Sequence, residues 1–290
     1  MGYKLRTLGL FGVMAALFAA VGLVLGGMFM GDWVTGALIF LVIAIVFNAV
    51  SYFYSKQIVL RAYRAKVVAP EEAPNLHRIV QGIAMRANMP MPEIAVIPSM
   101  TPNAFATGRN PSDAVVAVTN GLLRILDESE LEGVLAHEMA HVQNRDVLVM
   151  SIAATLAGAI AFAARFAFYG TLFGGRDNAA SIAIVMFAAI TAPIAAMLVQ
   201  MGISRNREYK ADATGAAFIG NPRALANALR KLEMANSKMP MEDANPASGH
   251  MFIVNPFRGS LMANLFSTHP PIETRIRKLE EQESRMGYYR

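Results

Sequence analysis

Cysteine is absent from the 290 residues. That excludes disulfides and any metal site built on thiolates, so a metal here would need histidine and carboxylate ligands. Charge is scarce as well. Asp, Glu, Lys and Arg make up 16% of the chain, against about 25% in an average soluble domain. Mean hydropathy is +0.38. The chain is too apolar for an ordinary soluble protein and reads as membrane-associated, with length left over for a water-soluble domain. Histidine is also rare, five in all, so each one matters. A net charge of +5 and a pI of about 9.6 would suggest nucleic acid for a soluble protein. In an apolar chain basic residues gather where membrane segments meet cytoplasm, and no nucleic-acid partner is expected.

Long apolar runs are what the chain has in abundance. Leu8–Met30 is a charge-free run of 23 residues, and Val34–Tyr54 one of 21. At about 1.5 Å per residue, each can cross a hydrocarbon core of about 30 Å. Lys4 and Arg6 precede the first run as they would in a signal peptide. The run is longer than a signal core, however, and a second span follows after three residues, so an uncleaved hairpin is expected. In a second pair, Val147–Ala164 and Ser181–Ser204, Arg165 interrupts the first run and Pro193 and Gln200 sit in the second; these are spans or deeply embedded helices. Lys4, Arg6, Lys56, Arg61, Arg64, Lys66, Arg145, Arg205, Arg207 and Lys210 flank the four spans on one side, and only Arg176 on the other. The excess of basic residues places both termini and the polar domain in the cytoplasm.

The expected organisation is therefore a transmembrane hairpin over 1–54, a first part of a cytoplasmic domain over 55–146, a second hairpin over 147–204, and the rest of the cytoplasmic domain over 205–290. In the polar parts, "EEAPNLHRIVQGIAMRANM", "DESELEGVLAHEMAHVQNRD", "NPRALANALRKLEMAN" and "PPIETRIRKLEEQ" read as helices. "PEIAVIPS" and "AVVAVT" read as short strands with "NAFATG" between them, and 237–268 as a long loop. The fold class is a mainly α integral membrane protein with four transmembrane helices and a cytoplasmic α+β domain carrying a small sheet.

One motif carries chemistry. His137-Glu138-Met139-Ala140-His141 is H-E-x-x-H. On a helix, residues i and i+4 lie one above the other, so both imidazoles can hold one Zn²⁺. Glu138, beside the first of them, can reach the metal-bound water as general base. A catalytic zinc needs a third protein ligand: His, Asp or Glu in a chain without cysteine. "SRNREYKADATG" offers Glu208 with Asp212 four residues on. On one helical face Glu208 would bind metal, and Asp212 would accept a hydrogen bond from a ligand imidazole. By spacing alone, an exposed helix with i,i+4 charges reads equally well.

"NAFATG", "GLLRILDESELEGVLAHEMAHVQNRD", "SRNREYKADATG" and "THPPIETRIRKL" together resemble the HtpX family of membrane zinc metalloproteases and, more distantly, the prenyl-protein (CAAX) endopeptidases. The resemblance covers most of the chain, including the order of spans. It implies a gluzincin with one Zn²⁺ held by His137, His141 and Glu208, and Glu138 as base. It also implies cleavage of unfolded or damaged membrane proteins at the bacterial inner membrane. Two other readings are a CAAX-type endopeptidase, against which the count of only four spans speaks, and a membrane scaffold with a vestigial zinc site.

His141 lies six residues before Val147, and Glu208 four after Ser204, roughly 9 Å and 6 Å along helices. The zinc is thus expected between two helices that continue into a membrane hairpin, just above the inner leaflet. The oxyanion needs a donor besides zinc. His269 in "THPP" is a candidate, or else simply a helix-start residue, and Tyr209 competes for the role. His77 and His250 have no partner pattern. A protease of unfolded chains can bind substrate backbone by adding it to a sheet edge. Asn103, Ala104, Phe105 and Ala106 are the expected edge: small alanines let a second backbone approach, and Phe105 anchors the strand. The alternative is a plain core strand.

Overall fold

The computed structural model describes residues 3–147, 205–238 and 270–287. Two long antiparallel helices come first, α1 (Tyr3–Phe29) and α2 (Trp33–Ala62). Asp32 caps α2, its carboxylate accepting from the N–H groups of Val34 at 2.9 Å and Thr35 at 3.3 Å. The helices meet at glycines. A Cβ on Gly36 would lie 2.2 Å from the carbonyl oxygen of Gly22, and one on Gly26 would lie 2.6 Å from the Cα of Gly36. Small residues let helix backbones touch where lipid supplies no hydrophobic drive to association. The outer face of α2 is apolar and exposed at Leu38, Val42, Val46, Val50 and Phe53. Among the described residues, α2 is the helix whose length and composition suffice to cross a membrane. α1 covers the first expected span as one helix. The expected second hairpin, the long loop at 237–268 except its first two residues, and His269 lie outside the described residues.

α2 does not stop at Tyr54, where the apolar run ends. It continues to Ala62, and Val59 packs with Ala95, Ile97, Phe105, Val115 and Ala117 on one face of a sheet. Lys56 pins the junction, its Nζ 2.9 Å from Glu93 and 3.4 Å from Asp113. The sheet contains β1 (Lys66–Val67), β2 (Glu93–Ile97), β3 (Ala104–Thr107) and β4 (Val115–Thr119), in the order β1-β2-β4-β3. β2 and β4 are parallel and the outer pairings antiparallel. β4 is buried along its whole length, as a central strand covered on both faces must be. β3 lies at an edge, with Ala104 opposite Val118 and Ala106 opposite Val116.

Helices cover the other face. α3 (Pro74–Arg86) has Pro74 in its first turn, where the missing N–H costs nothing. After α4 (Asn120–Ile125) comes α5 (Glu128–Gln143), opened by a capping box in which Asp127 and Glu130 exchange side-chain-to-backbone hydrogen bonds of 2.9 and 3.0 Å. α6 (Arg205–Ile219) and α7 (Pro222–Lys238) pack against it, and α8 (Ile272–Gly287) packs on those two. α5 is buried almost throughout from Glu130 to Val142. Two glycines let its neighbours in. A Cβ on Gly133 would lie 2.6 Å from the Leu225 nitrogen of α7, and one on Gly215 of α6 would lie 2.8 Å from Ala136 and His137 backbone atoms.

The end of α5 corrects the expectation that it runs unbroken into a membrane span. The helix stops at Gln143. Arg145 adopts φ +58°; its N–H donates to Val142 O and that of Asp146 to His141 O, both at 3.0 Å. This left-handed C-terminal turn satisfies the last carbonyls and redirects the chain.

Candidate active site

α5 and α6 bring the expected metal-binding residues together. His137, His141 and Glu208 are 2–3% exposed, and one donor atom from each lies within 4.8 Å of the others. Glu208 Oε1 is 3.3 Å from His141 Nε2, and Oε2 is 3.7 Å from His137 Nε2. Helical periodicity sets the two imidazoles on one face of α5, with ring centroids 4.7 Å apart and planes at 87°. The contact at Gly215 carries α6 close enough for Glu208 to meet them.

The other ring nitrogens face carboxylates. His137 Nδ1 is 2.9 Å from Asp212 Oδ1. His141 Nδ1 faces Asp146 Oδ2 at 3.6 Å. Arg275 of α8, wholly buried, grips Asp212 with two hydrogen bonds of 2.7 and 2.8 Å. It also lies 3.6 Å from Glu208 and 3.4 Å from His137 Nε2.

These neighbours set the electrostatics. Burial works to raise the pKa of Asp212, but Arg275 prevails and holds it at about 2. Burial works to lower that of His141, but Asp146, Glu208 and Glu138 raise it to about 10. Glu138 is raised, first by burial and then by Glu208, against the opposing pull of the two histidines. Glu138, Asp146, Glu208 and Asp212 stand against two guanidiniums, Arg207 and Arg275. With neutral imidazoles, four carboxylates against two guanidiniums leave two negative charges, which a divalent cation would balance. Two imidazoles and a carboxylate are also a donor set that suits zinc. The site fits a metal ion.

Glu138 is 6% exposed and is not among the three clustered donors. Its Oε2 accepts a hydrogen bond of 3.1 Å from the N–H of Ala106. The sheet edge therefore touches the expected base. Asn103 O accepts from Thr119 N–H at 2.9 Å, so odd positions of β3 face β4. The N–H and C=O groups of Ala104 and Ala106 then face away from it. Phe105 is 3% exposed, its ring 5.0 Å from that of Tyr63.

Sequence reading missed Asp146, Arg275 and the Ala106 N–H. A signal for Arg275 did exist. Ile272, Arg275, Ile276 and Leu279 share the inner stripe of α8, so an arginine sits where an apolar residue belongs. A backbone donor such as that of Ala106 leaves no sequence trace.

The model of "Peptidase family M48" matches residues 70–283. The chain belongs to peptidase family M48. A "Protease HtpX homolog" of Syntrophobacter fumaroxidans is 53% identical over 285 residues, covering 96% of this chain and 99% of the relative. Another, from Thermococcus sibiricus, is 51% identical over 293 residues, covering 99% and 98%. The crystal structure of S. mikatae Ste24p aligns with 96% of this chain and 65% of its own, at a TM-score of 0.52 and 18% identity. That likeness shows a shared fold. M48 membership, the apolar helix α2 and the donor cluster together identify a membrane metalloprotease.

Proposed function

We infer that this M48 protein is a zinc endopeptidase that cuts unfolded or damaged membrane proteins at the cytoplasmic face of a cell membrane, the inner membrane in a bacterium. The carrying observation is the buried triad of His137, His141 and Glu208, with Glu138 held between it and the sheet edge. The three side chains would hold one zinc ion, which supplies Lewis acidity to water and to the scissile carbonyl. Glu138 takes a proton from the attacking water and returns it to the leaving amine, a role suited to a carboxyl whose pKa is raised. Asp212 keeps His137 in one tautomer. Substrate joins β3 as a further strand, bonding to the outward groups of Ala104 and the carbonyl of Ala106, whose N–H is held by Glu138, while Asn103 and Phe105 fix the strand to the sheet. His269 is the candidate donor to the oxyanion. α2 runs from its apolar stretch to a packing contact with the sheet, which supports a position of this edge beside the bilayer.

The test is hydrolysis of unfolded casein by detergent-purified protein with and without Zn²⁺. Glu138→Ala should keep about one zinc per chain and lose nearly all turnover, since it removes the base and spares the ligands. Glu208→Ala should lose the metal. Substantial turnover by Glu138→Ala would remove it as base, and wild-type zinc affinity in Glu208→Ala would remove Glu208 as ligand. A reporter fused after Arg290 should be cytoplasmic; a periplasmic signal would overturn the orientation.

A further inference from the structure

Each histidine of the site has a carboxylate at its outer nitrogen, and each carboxylate has a guanidinium behind it. For His137 the series runs to Asp212 at 2.9 Å, then to Arg275 at 2.7 Å. For His141 it runs to Asp146 at 3.6 Å, then to Arg207 at 3.5 Å. The spacing of α6 foreshadows the first series. The second is visible only in the structure, because no spacing in the sequence singles out Asp146 or Arg207.

Asp146 is 5% exposed, so its carboxylate is out of water and depends on charged partners. The backbone aims it. Arg145 at φ +58° turns the chain back, and the Asp146 N–H donates to the carbonyl of His141 itself. A non-glycine residue is disfavoured in that conformation, a strain that persists where the surroundings over-determine it. The His141–Asp146 separation is an ion-pair distance, longer than a hydrogen bond. Asp146 therefore acts on His141 mainly through its charge. Arg207, its side chain 11% exposed, directly precedes Glu208.

We propose that Asp146 is a positioning residue for His141, and that Arg207 holds Asp146 in place. The ion pair that ties the two ends of segment 148–204 then also sets metal affinity. This rests on the zinc reading above. Asp146 favours the donor orientation of Nδ1 and leaves Nε2 to the metal, as carboxylates behind ligand imidazoles do. Arg207 makes that contact conditional on the two ends of the segment staying together.

Zinc affinity of the full chain in detergent, measured by competition with a chromophoric chelator, tests this. Asp146→Asn should bind zinc about 10–100-fold more weakly than wild type. Arg207→Gln should weaken it in the same direction, and Arg207→Lys should recover most of the loss. The double variant should lie within about twofold of Asp146→Asn, because both changes act through one contact. The exchange of Asp146→Arg with Arg207→Asp restores an ion pair but puts a cation behind His141, so zinc binding should stay weak. Folded Asp146→Asn with wild-type affinity would overturn the proposal. So would an exchange variant with wild-type affinity, which would leave the pair a tie and nothing more. Should Asp146→Asn fail to fold, the more peripheral Arg207→Gln and Arg207→Lys decide by the same comparison. Failure of the wild type to bind zinc would refute the metal reading itself, before any variant is compared.

Discussion

Arg275 is the most deeply buried charge at the site, and replacing it with methionine tests the electrostatic account directly. The side chain is wholly buried and makes two hydrogen bonds to Asp212. Arg275→Met keeps much of the length and removes the charge. Against burial, Asp212 stands at about 2 rather than 3.8 chiefly because of this guanidinium, with His137 adding to it. At about 1.36 kcal/mol per pH unit, that is on the order of 2 kcal/mol of folding stability at neutral pH. The sign follows from the depressed value. The contribution is present above 3.8 and is lost as pH falls through about 2. The variant loses more than this, because Asp212 stays buried beside His137 without its cation. Breaking a buried pair from one side costs about 3–5 kcal/mol. At about 2–4 °C per kcal/mol, Tm in detergent at neutral pH should fall by roughly 6–20 °C. Adding Asp212→Asn removes the stranded charge and should recover over half of the loss. Unchanged Tm in Arg275→Met, or a double variant no more stable than the single one, would refute the reasoning.

Gly215→Ala puts a methyl 2.8 Å from the backbone of Ala136 and His137; overpacking should cost about 1–3 kcal/mol in thermal unfolding and weaken zinc binding, and an unchanged Tm would show that α6 is free to shift. Ala104→Pro deletes an outward N–H and should raise KM with zinc content unchanged, whereas Ala106→Pro also strips Glu138 of its donor and should lower kcat as well; unchanged kcat/KM in both folded variants would move substrate binding away from β3. His141, raised to about 10, stabilises the metal-free fold fully below its ordinary 6.5, and that contribution is lost as pH rises through about 10. Tm of chelator-treated protein should therefore fall across that window, and His141→Gln should show a smaller fall; equal falls would assign the pH dependence to other groups.

Much of the site is legible in the chain because it is periodic. His137 and His141 share a face wherever four residues make about one helical turn, and the same holds for Glu208 and Asp212. Capping residues fix where α5 begins, and an unbroken apolar run marks α2. Alternation and β-branched residues mark β2 and β4. The two-residue β1 is too short to leave such a pattern.

Contacts made across the fold leave no comparable local signal. The sequence by itself determined that the chain enters a membrane, that two histidines and a glutamate stand beside each other on one helix, and which residue types were available to complete the set. Tertiary structure alone decided how the set is held. Arg275 meets Asp212 63 positions away and His137 138 positions away, because α8 lays its one buried arginine across both α5 and α6. Ala106 meets Glu138 because β3 lies at the sheet edge beside α5. Even the end of α5 was decided this way. The sequence permits a helix continuing into the apolar run, whereas the fold turns Arg145 left-handed and brings Asp146 back to His141. Periodicity is a property of neighbours in the chain, and pairing buried charges is a property of neighbours in space.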